Sequence, residues 1–530
     1  MTNIETENTQ DKSANRQIAR AAGTVMIPMV LSQLMGLLAK TLTARAFGTG
    51  LESDAIFAAN RFSEIIFNLV AGGALGSAFI PTFTGLLVNE KRKEAWRLAS
   101  SIANLMLLVM TVIAALSAIF APWIVRNILA LGFDAETSAL TTQLMRIQLL
   151  SSVIFGLSGL LMGILNAHQS FLLPALAPAF YQLGWVFGAL FVAPRYGVYG
   201  MSWSIVAGAC MHLLVQLPAL FRLPERAYHF SLGLKMPAVR EVGRLMAPRL
   251  LGVGVVQLNF LLNTNLASLM PQGSYTGITL AFPIMLMPEI AIAQSIAIAA
   301  LPTFSAQVAR GRKDHMRTSL AASLRGALLL AIPASVGLVL LRQPVVALLY
   351  QRGEFGPEST AIVAWALLWY AAGLVGHSVV EIISRAFYAL HDTKTPVVVG
   401  ILTMGLNLVL SLLFTRLFNI IGWMPHGGLA LANSLATFLE MICLLIIMRR
   451  RLEGIDGELV WQSVRQAGIG AAVMGVVIWA WMGLSAGWSV LVIVTGGLAL
   501  GVGAYTLLLV VQRTPEVGEL WGIAKRKILR

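Results

Sequence analysis

Apolar residues in this chain come in long unbroken runs, not in the one-faced patterns of water-facing strands and helices. Predominantly apolar segments lie near 22–47, 54–87, 98–121, 139–166, 171–193, 199–221, 243–268, 273–305, 319–341, 359–388, 395–415, 427–448, 462–484 and 488–511. Each is long enough to cross a hydrocarbon core of ~30 Å as a helix. In lipid a spanning segment must satisfy its own backbone groups, which favours helices. The pattern therefore predicts an all-α polytopic membrane protein of about fourteen transmembrane helices.

Composition strengthens this. Of 530 residues, 57% are hydrophobic and 12% charged, against about a quarter charged in soluble domains. The opening "MTNIETENTQDKSANRQIAR" is polar and lacks the apolar run and cleavage site of a signal peptide, so the first span is expected to act as its own insertion signal. Cys210 and Cys443 both fall in apolar spans without disulfide or metal-ligand spacing. They are expected to be small buried hydrophobes.

The formal net charge of +14 changes meaning once it is distributed. With the N-terminus inside, "EKRKEAWR", "ARGRKDHMR", "MRRRLEG" and "AKRKILR" are cytoplasmic, and inside segments hold about 25 Lys and Arg. Outside loops hold Arg126, Arg195, Arg342, Arg352 and Arg416. This is the positive-inside asymmetry, not a nucleic-acid footprint. It places both termini on the cytoplasmic side of the membrane.

Three stretches repeat in order. "AFIPTFTGLLVNEKRKEAWRLASS" at 78–101 parallels "AALPTFSAQVARGRKDHMRTSLAAS" at 299–323, an offset of 221 from Pro81 to Pro302. "LALGFDAETSAL" parallels "YQRGEFGPESTAI", offset by 222 from Phe133 to Phe355. "NAHQSFLLP" parallels "YALHDTKTP", with His168 against His391. Two copies of a six-helix unit follow, related by an axis along the membrane normal, an arrangement that flanks a substrate cavity in transporters. The expected organisation is a cytoplasmic segment 1–21, an N-lobe 22–221, a linker 222–242, a C-lobe 243–448, a loop 449–461, two further spans over 462–511 and a basic tail 512–530.

Charges inside spans cost roughly 2.5–3.5 kcal/mol each on insertion scales, so they face a partner or a cavity. Cations in or near spans are Lys40, Arg45, Arg61, Arg146, Arg249, Arg325 and Arg385; acids are Asp54, Glu64, Glu289, Glu381 and Glu440. Arg61 and Glu64 are three apart, and Glu381 and Arg385 four apart, so each pair shares a helix face. Arg45 and Asp54 flank an outer turn. Arg249, Arg325 and Arg385 can anchor at the cytoplasmic interface by snorkelling or line a cavity; both readings stand. Arg146, near the outer end of span 4, reads as an anchor. Arg61 and Lys40 lie deeper, where cavity lining is the better reading. A guanidinium suits phosphate because it donates two parallel charge-assisted hydrogen bonds, so an anionic substrate is expected. Asn259 and Asn263 share a face of span 7 with Gln257 and Asn265 nearby. They read either as interhelical glue or as a polar wall or small-cation site. No GxxxxGK[ST] loop is present, so no ATP-driven step is expected.

"ARAFGTGLESDAIFAAN", "FNLVAGGALGSAFIPTF", "LNAHQSFLLPALAP", "LLYQRGEF" and "RAFYALHDTKTP" together resemble the lipid II flippase family, MurJ/MviN, over about residues 20 to 450. The resemblance implies two six-helix lobes around a cationic cavity. It also implies two C-terminal helices forming a groove for a polyprenyl tail, and outward movement of lipid II, the undecaprenyl-pyrophosphate-linked peptidoglycan precursor. It implies that function is not enzymatic, that cell-wall enzymes are candidate partners, and that a coupling cation or the membrane potential supplies the drive without a cofactor. Asp54 matches the family's acidic residue after the FGxG turn. Departures are equally specific. Family arginine positions fall on Gln33, on Ala39 (followed by Lys40), on Asn68 and on Pro283. The expected substrate-binding set is therefore Arg61, Arg249, Arg385, Lys40, Asp54, Glu64, Asn259 and Asn263. Two other classes compete. Another polyprenyl-linked glycan or, in a MATE-like antiporter, an organic cation is the first; the second is a transport-inactive scaffold for cell-wall enzymes.

Overall fold

The structure, a computed structural model, describes residues 28, 30–69, 76–512 and 514. The segment 1–21 and nearly all of the tail 512–530 lie outside the described residues.

The described chain is built from helices. Residues 30–47 form α1. It is followed by α2 (Leu51–Phe67), α3 (Gly76–Val88), α4 (Arg92–Ile119), α5 (Ala135–Ala167), α6 (Leu172–Phe187), α7 (Ala193–Leu214) and α8 (Pro237–Ser268). Then come α9 (Ser274–Glu289), α10 (Ser295–Ala309), α11 (Lys313–Tyr350), α12 (Pro357–Ala389), α13 (Lys394–Ile420), α14 (His426–Arg451), α15 (Gly457–Leu484) and α16 (Val490–Val511). Among the described residues, ten helices are long and apolar enough to cross a membrane. The spans expected at 171–193 and 199–221 correspond to α6 and most of α7, which turn back on each other at Gly197, where φ 58° and ψ −150° break the helix. Those expected at 22–47, 54–87 and 243–268 lie on α1, on α2 and α3, and on α8. Lys40 and Arg45 dilute the hydropathy of α1.

Packing divides the chain into two units, residues 1–269 and 270–530. In this division α8 groups with the first unit. Span 7, as α8, joins the first unit because it packs on α3, α2, α4 and the turn 125–129. Asn265 Nδ2 donates to the Ile128 carbonyl at 2.9 Å, and Ser268 Oγ accepts from Gly132 N at 3.0 Å. The linker itself is strapped along α4: Asn104 Nδ2 donates to the carbonyls of His229 and Ser231, and Arg92 pairs with Glu225.

In the first unit α5 is central, packing against α2, α3, α4 and α7. Gly184 and Gly208 let α6 and α7 approach until a Cβ on Gly184 would lie 2.4 Å from the Gly208 Cα, the small-residue contact that apolar solvent favours between helices. In the second unit α12 packs on α9, α11 and α14 around a core that includes Phe304, Ile382, Phe387 and Leu444. Helices α15 and α16 pack on α11 through Leu329, Leu341, Met474, Ile478 and Tyr505.

The repeat extends to backbone geometry. Helices α5 and α12 are both 33 residues long, starting at 135 and 357 and thus 222 apart. Each ends in a left-handed residue, Gln169 at φ 58° and His391 at φ 57°. Ser170 N reaches back to Leu165 O at 2.9 Å, and Asp392 N to Phe387 O at 3.0 Å, the same wide C-terminal closure. Turn geometry therefore matches His391 with Gln169, one residue on from His168. Another matched turn sets Glu90 at φ 58° against Gly311 at φ 67°, 221 apart.

Three local expectations change. The sequence puts Phe387 and Tyr388 near the end of span 10, where aromatic rings are expected to settle at the interface; Phe387 is instead fully buried in the core of the second unit, whereas Tyr388 is partly exposed. Cys210 is half-buried and Cys443 exposed, so neither is the fully buried hydrophobe expected. Arg146 is more than an anchor: Nε donates to the Ala118 carbonyl at 3.0 Å. That carbonyl lacks its usual i+4 partner because residue 122 is proline.

Candidate functional site

In the first unit the candidate charges converge on α1 and α2. Arg61 and Glu64, on one face of α2, form an ion pair at 3.0 Å. Lys40, half-buried on α1, lies within electrostatic reach of both Glu64 and Arg61. Glu64 also accepts from Asn60 Nδ2 at 2.8 Å. Asn60 in turn accepts from the Tyr181 hydroxyl of α6 at 3.1 Å. The Arg61 guanidinium stands 4.7 Å over the Phe260 ring of α8, a stacking that leaves its N–H groups pointing along the ring plane toward acceptors. Phe155 closes the cluster, its ring 4.9 Å from Tyr181. Two cations and one carboxylate leave this intramembrane group net positive by one charge.

Asn60, Tyr181 and Phe260 were absent from the expected set. Asn60 is four residues before Glu64, a helical spacing visible in the sequence. Tyr181 and Phe260 join only through tertiary packing.

The remaining candidates separate. Asp54 is buried in the first turn of α2, where a carboxylate meets the positive end of the helix dipole. Arg45 is exposed at the end of α1. Asn259 and Asn263 hydrogen-bond to each other at 2.8 Å along α8, so that pair is not interhelical glue; Asn265 does that work instead. The side chain of Arg249 lies outside the described residues. In the second unit Arg385 pairs with Glu381 at 2.8 Å, and Arg325 Nε donates to Ser463 of α15 at 3.1 Å. At the family arginine positions, Gln33 is exposed, Ala39 buried and Asn68 half-buried at the end of α2, while Pro283 lies inside α9.

The "HDTKTP" turn is a built structure. Asp392 accepts from Lys394 N at 3.1 Å and Thr395 N at 3.0 Å, from the Thr395 hydroxyl, and from Arg451. The Thr395 hydroxyl first, then backbone N–H groups and the Arg451 charge, hold its carboxyl below the usual carboxylate range.

Residues 43–498 match the family described as lipid II flippase MurJ. This chain belongs to that family. The lipid II flippase MurJ of Burkholderia cenocepacia is 30% identical over 438 residues, covering 82% of this chain and 84% of the relative. Among solved structures, a lipid II flippase MurJ in an inward closed conformation aligns with TM-score 0.78 at 23% identity, over 96% of this chain and 99% of that one. An inward-facing MATE multidrug transporter of the MOP superfamily aligns with TM-score 0.66 at 18% identity, over 82% of this chain and 98% of its own. At these identities the structural likeness shows the fold. MurJ membership thus accounts for the multi-pass architecture.

Proposed function

We propose that this chain moves lipid II from the inner to the outer leaflet of the cytoplasmic membrane, with both termini in the cytoplasm, and is a transporter, not an enzyme. The observation that carries the reading is the net-positive cluster of Lys40, Arg61 and Glu64 within the spans of a MurJ-family chain. A pyrophosphate offers paired oxygens to a guanidinium edge and a point charge to an ammonium. Glu64 holds Arg61 in place through their ion pair, and Lys40 adds a second positive charge nearby for the head group. Outward passage of a negative head group gains about 2.3 kcal/mol per charge per 100 mV when the inside is negative. Helices α15 and α16, packed on α11, supply the lateral surface for the polyprenyl tail.

The test is rescue of a bacterium depleted of its own lipid II flippase, with outer-leaflet lipid II measured for the parent, Arg61→Ala and Lys40→Ala at matched membrane levels. Rescue by the parent and loss in both variants supports the reading and its site. Equal rescue by all three keeps lipid II and discards the cluster. A well-inserted parent that fails to rescue replaces lipid II with another polyprenyl-linked glycan, the alternative favoured by Gln33, Ala39, Asn68 and Pro283.

A further inference from the structure

Glu289 ends α9 at the start of a π-helical turn, Ile290–Gln294, deep within the apolar stretch Ser274–Ala309. Its side chain is 8% exposed and makes no hydrogen bond or ion pair among the described residues. A second carboxylate, Glu381 of α12, lies close enough to act on it electrostatically. Glu381 is already engaged by Arg385 Nη2 at 2.8 Å. Arg385 keeps a buried Nε with no acceptor, and the fully buried hydroxyl of Ser378, one turn before Glu381, is also without a partner.

Arg385 thus holds Glu381, while Glu289 is left without a donor. An ionised carboxylate buried among apolar helices without a donor is strongly disfavoured, and a like charge beside it disfavours it further. Other ionisable groups on the packed elements are committed elsewhere or distant in sequence. On α12, His377 contacts Asn433. On α11, Arg325 bonds Ser463 and Arg342 bonds the Val339 carbonyl. On α14, His426 bonds the Ile362 carbonyl and Glu440 bonds Thr403. Helix α10 carries no ionisable side chain.

We propose that Glu289 is a proton-carrying site of this flippase. With the proton on Glu289, the trio Glu289, Glu381 and Arg385 is neutral, and Arg385 stays with Glu381 as seen here. Loss of that proton to water leaves two carboxylates against one guanidinium and makes the trio net negative. A metal cation is the weaker occupant: among the described residues no three His, Cys, Asp or Glu side chains gather as a metal site, and a cation needs several oxygen ligands. The inference goes beyond lipid II transport and is testable without it.

The experiment is infrared difference spectroscopy of the purified full-length protein in lipid, with no lipid II present, titrated from acid to alkaline pH. The parent should show a protonated-carboxyl band persisting at neutral pH, absent from Glu289→Gln. In Glu381→Gln the same band should titrate at least about one pH unit lower, because the neighbouring charge is gone and Arg385 is released. An unchanged band in Glu289→Gln overturns the proposal. So does an unshifted band in Glu381→Gln. Loss of the parent's band on adding sodium at fixed neutral pH also overturns it, in favour of a metal-cation site. None of these readouts depends on the substrate, so failure here leaves the lipid II reading standing.

Discussion

The hydroxyl of Tyr505, in α16, donates to the backbone carbonyl of Leu329, in α11, at 2.6 Å. Four residues after Leu329 stands Pro333, which has no N–H to give. The proline opens a carbonyl in the middle of a span, and the tyrosine of another helix closes it. An unfilled carbonyl at this depth has no water to turn to. Tyr505→Phe keeps the ring and removes only the donor. It should lower stability by about 1–3 kcal/mol, read as a fall in the thermal midpoint of the purified protein. Equal midpoints would mean that the Leu329 carbonyl finds another partner.

Arg146 and Ala118 repeat this chemistry with a different magnitude. Pro122 frees the Ala118 carbonyl and Arg146 fills it, but Arg146 is exposed. Solvent or lipid head groups can replace an exposed donor, so Arg146→Ala should cost less than about 1 kcal/mol. Measured beside Tyr505→Phe, it should give the smaller shift in midpoint; the reverse order would refute burial as the deciding factor.

Asp392 predicts a pH dependence. Its carboxyl is held below the usual range by Thr395, backbone N–H groups and Arg451, so the folded state binds a proton less readily than the unfolded chain. The stabilisation is fully present above the unfolded carboxylate value of about 3.9 and is lost as pH falls through the lower folded value. Asp392→Asn should therefore be less stable than the parent near neutral pH, and the gap should shrink between about pH 4 and 2. A gap constant over that window would show that shape, not charge, holds the turn.

Much of this was legible because helices impose fixed spacings. Arg61 with Glu64, and Glu381 with Arg385, pair as three- and four-residue offsets require. The repeat was visible because matched turns keep matched residues around Pro81 and Pro302. Contacts across helices were not legible. Nothing in sequence joins Tyr181 to Asn60 or Tyr505 to Leu329, since any residue of an apolar helix can face any neighbour. Prolines did mark which carbonyls would be orphaned, at Ala118 and Leu329, but not which side chain would fill them. Phe387 was misplaced because an aromatic near a helix end suits an interface and a core equally; only packing against Leu444 and Met448 decides. Nor does sequence show that Asn265 and Ser268 of the span 7 helix reach the 125–132 loop.

Arg61 and Glu64 allow structure and transport to be separated. Removing either alone breaks the ion pair: Arg61→Gln leaves Glu64 with Asn60 and Lys40, and Glu64→Gln removes the carboxylate that Arg61 holds. The pair is partly exposed, with side-chain exposures of 27% and 42%, which keeps the penalty well under the several kcal/mol of a fully buried pair. Each single variant should lose about 1 kcal/mol, and the double variant should recover part of it, a coupling of about 0.5–1 kcal/mol. Transport should behave differently. If Arg61 is a head-group ligand, the double variant regains stability but still fails to support outer-leaflet lipid II. Recovery of transport together with stability would assign the pair a purely structural role and move the head group to Lys40 or elsewhere.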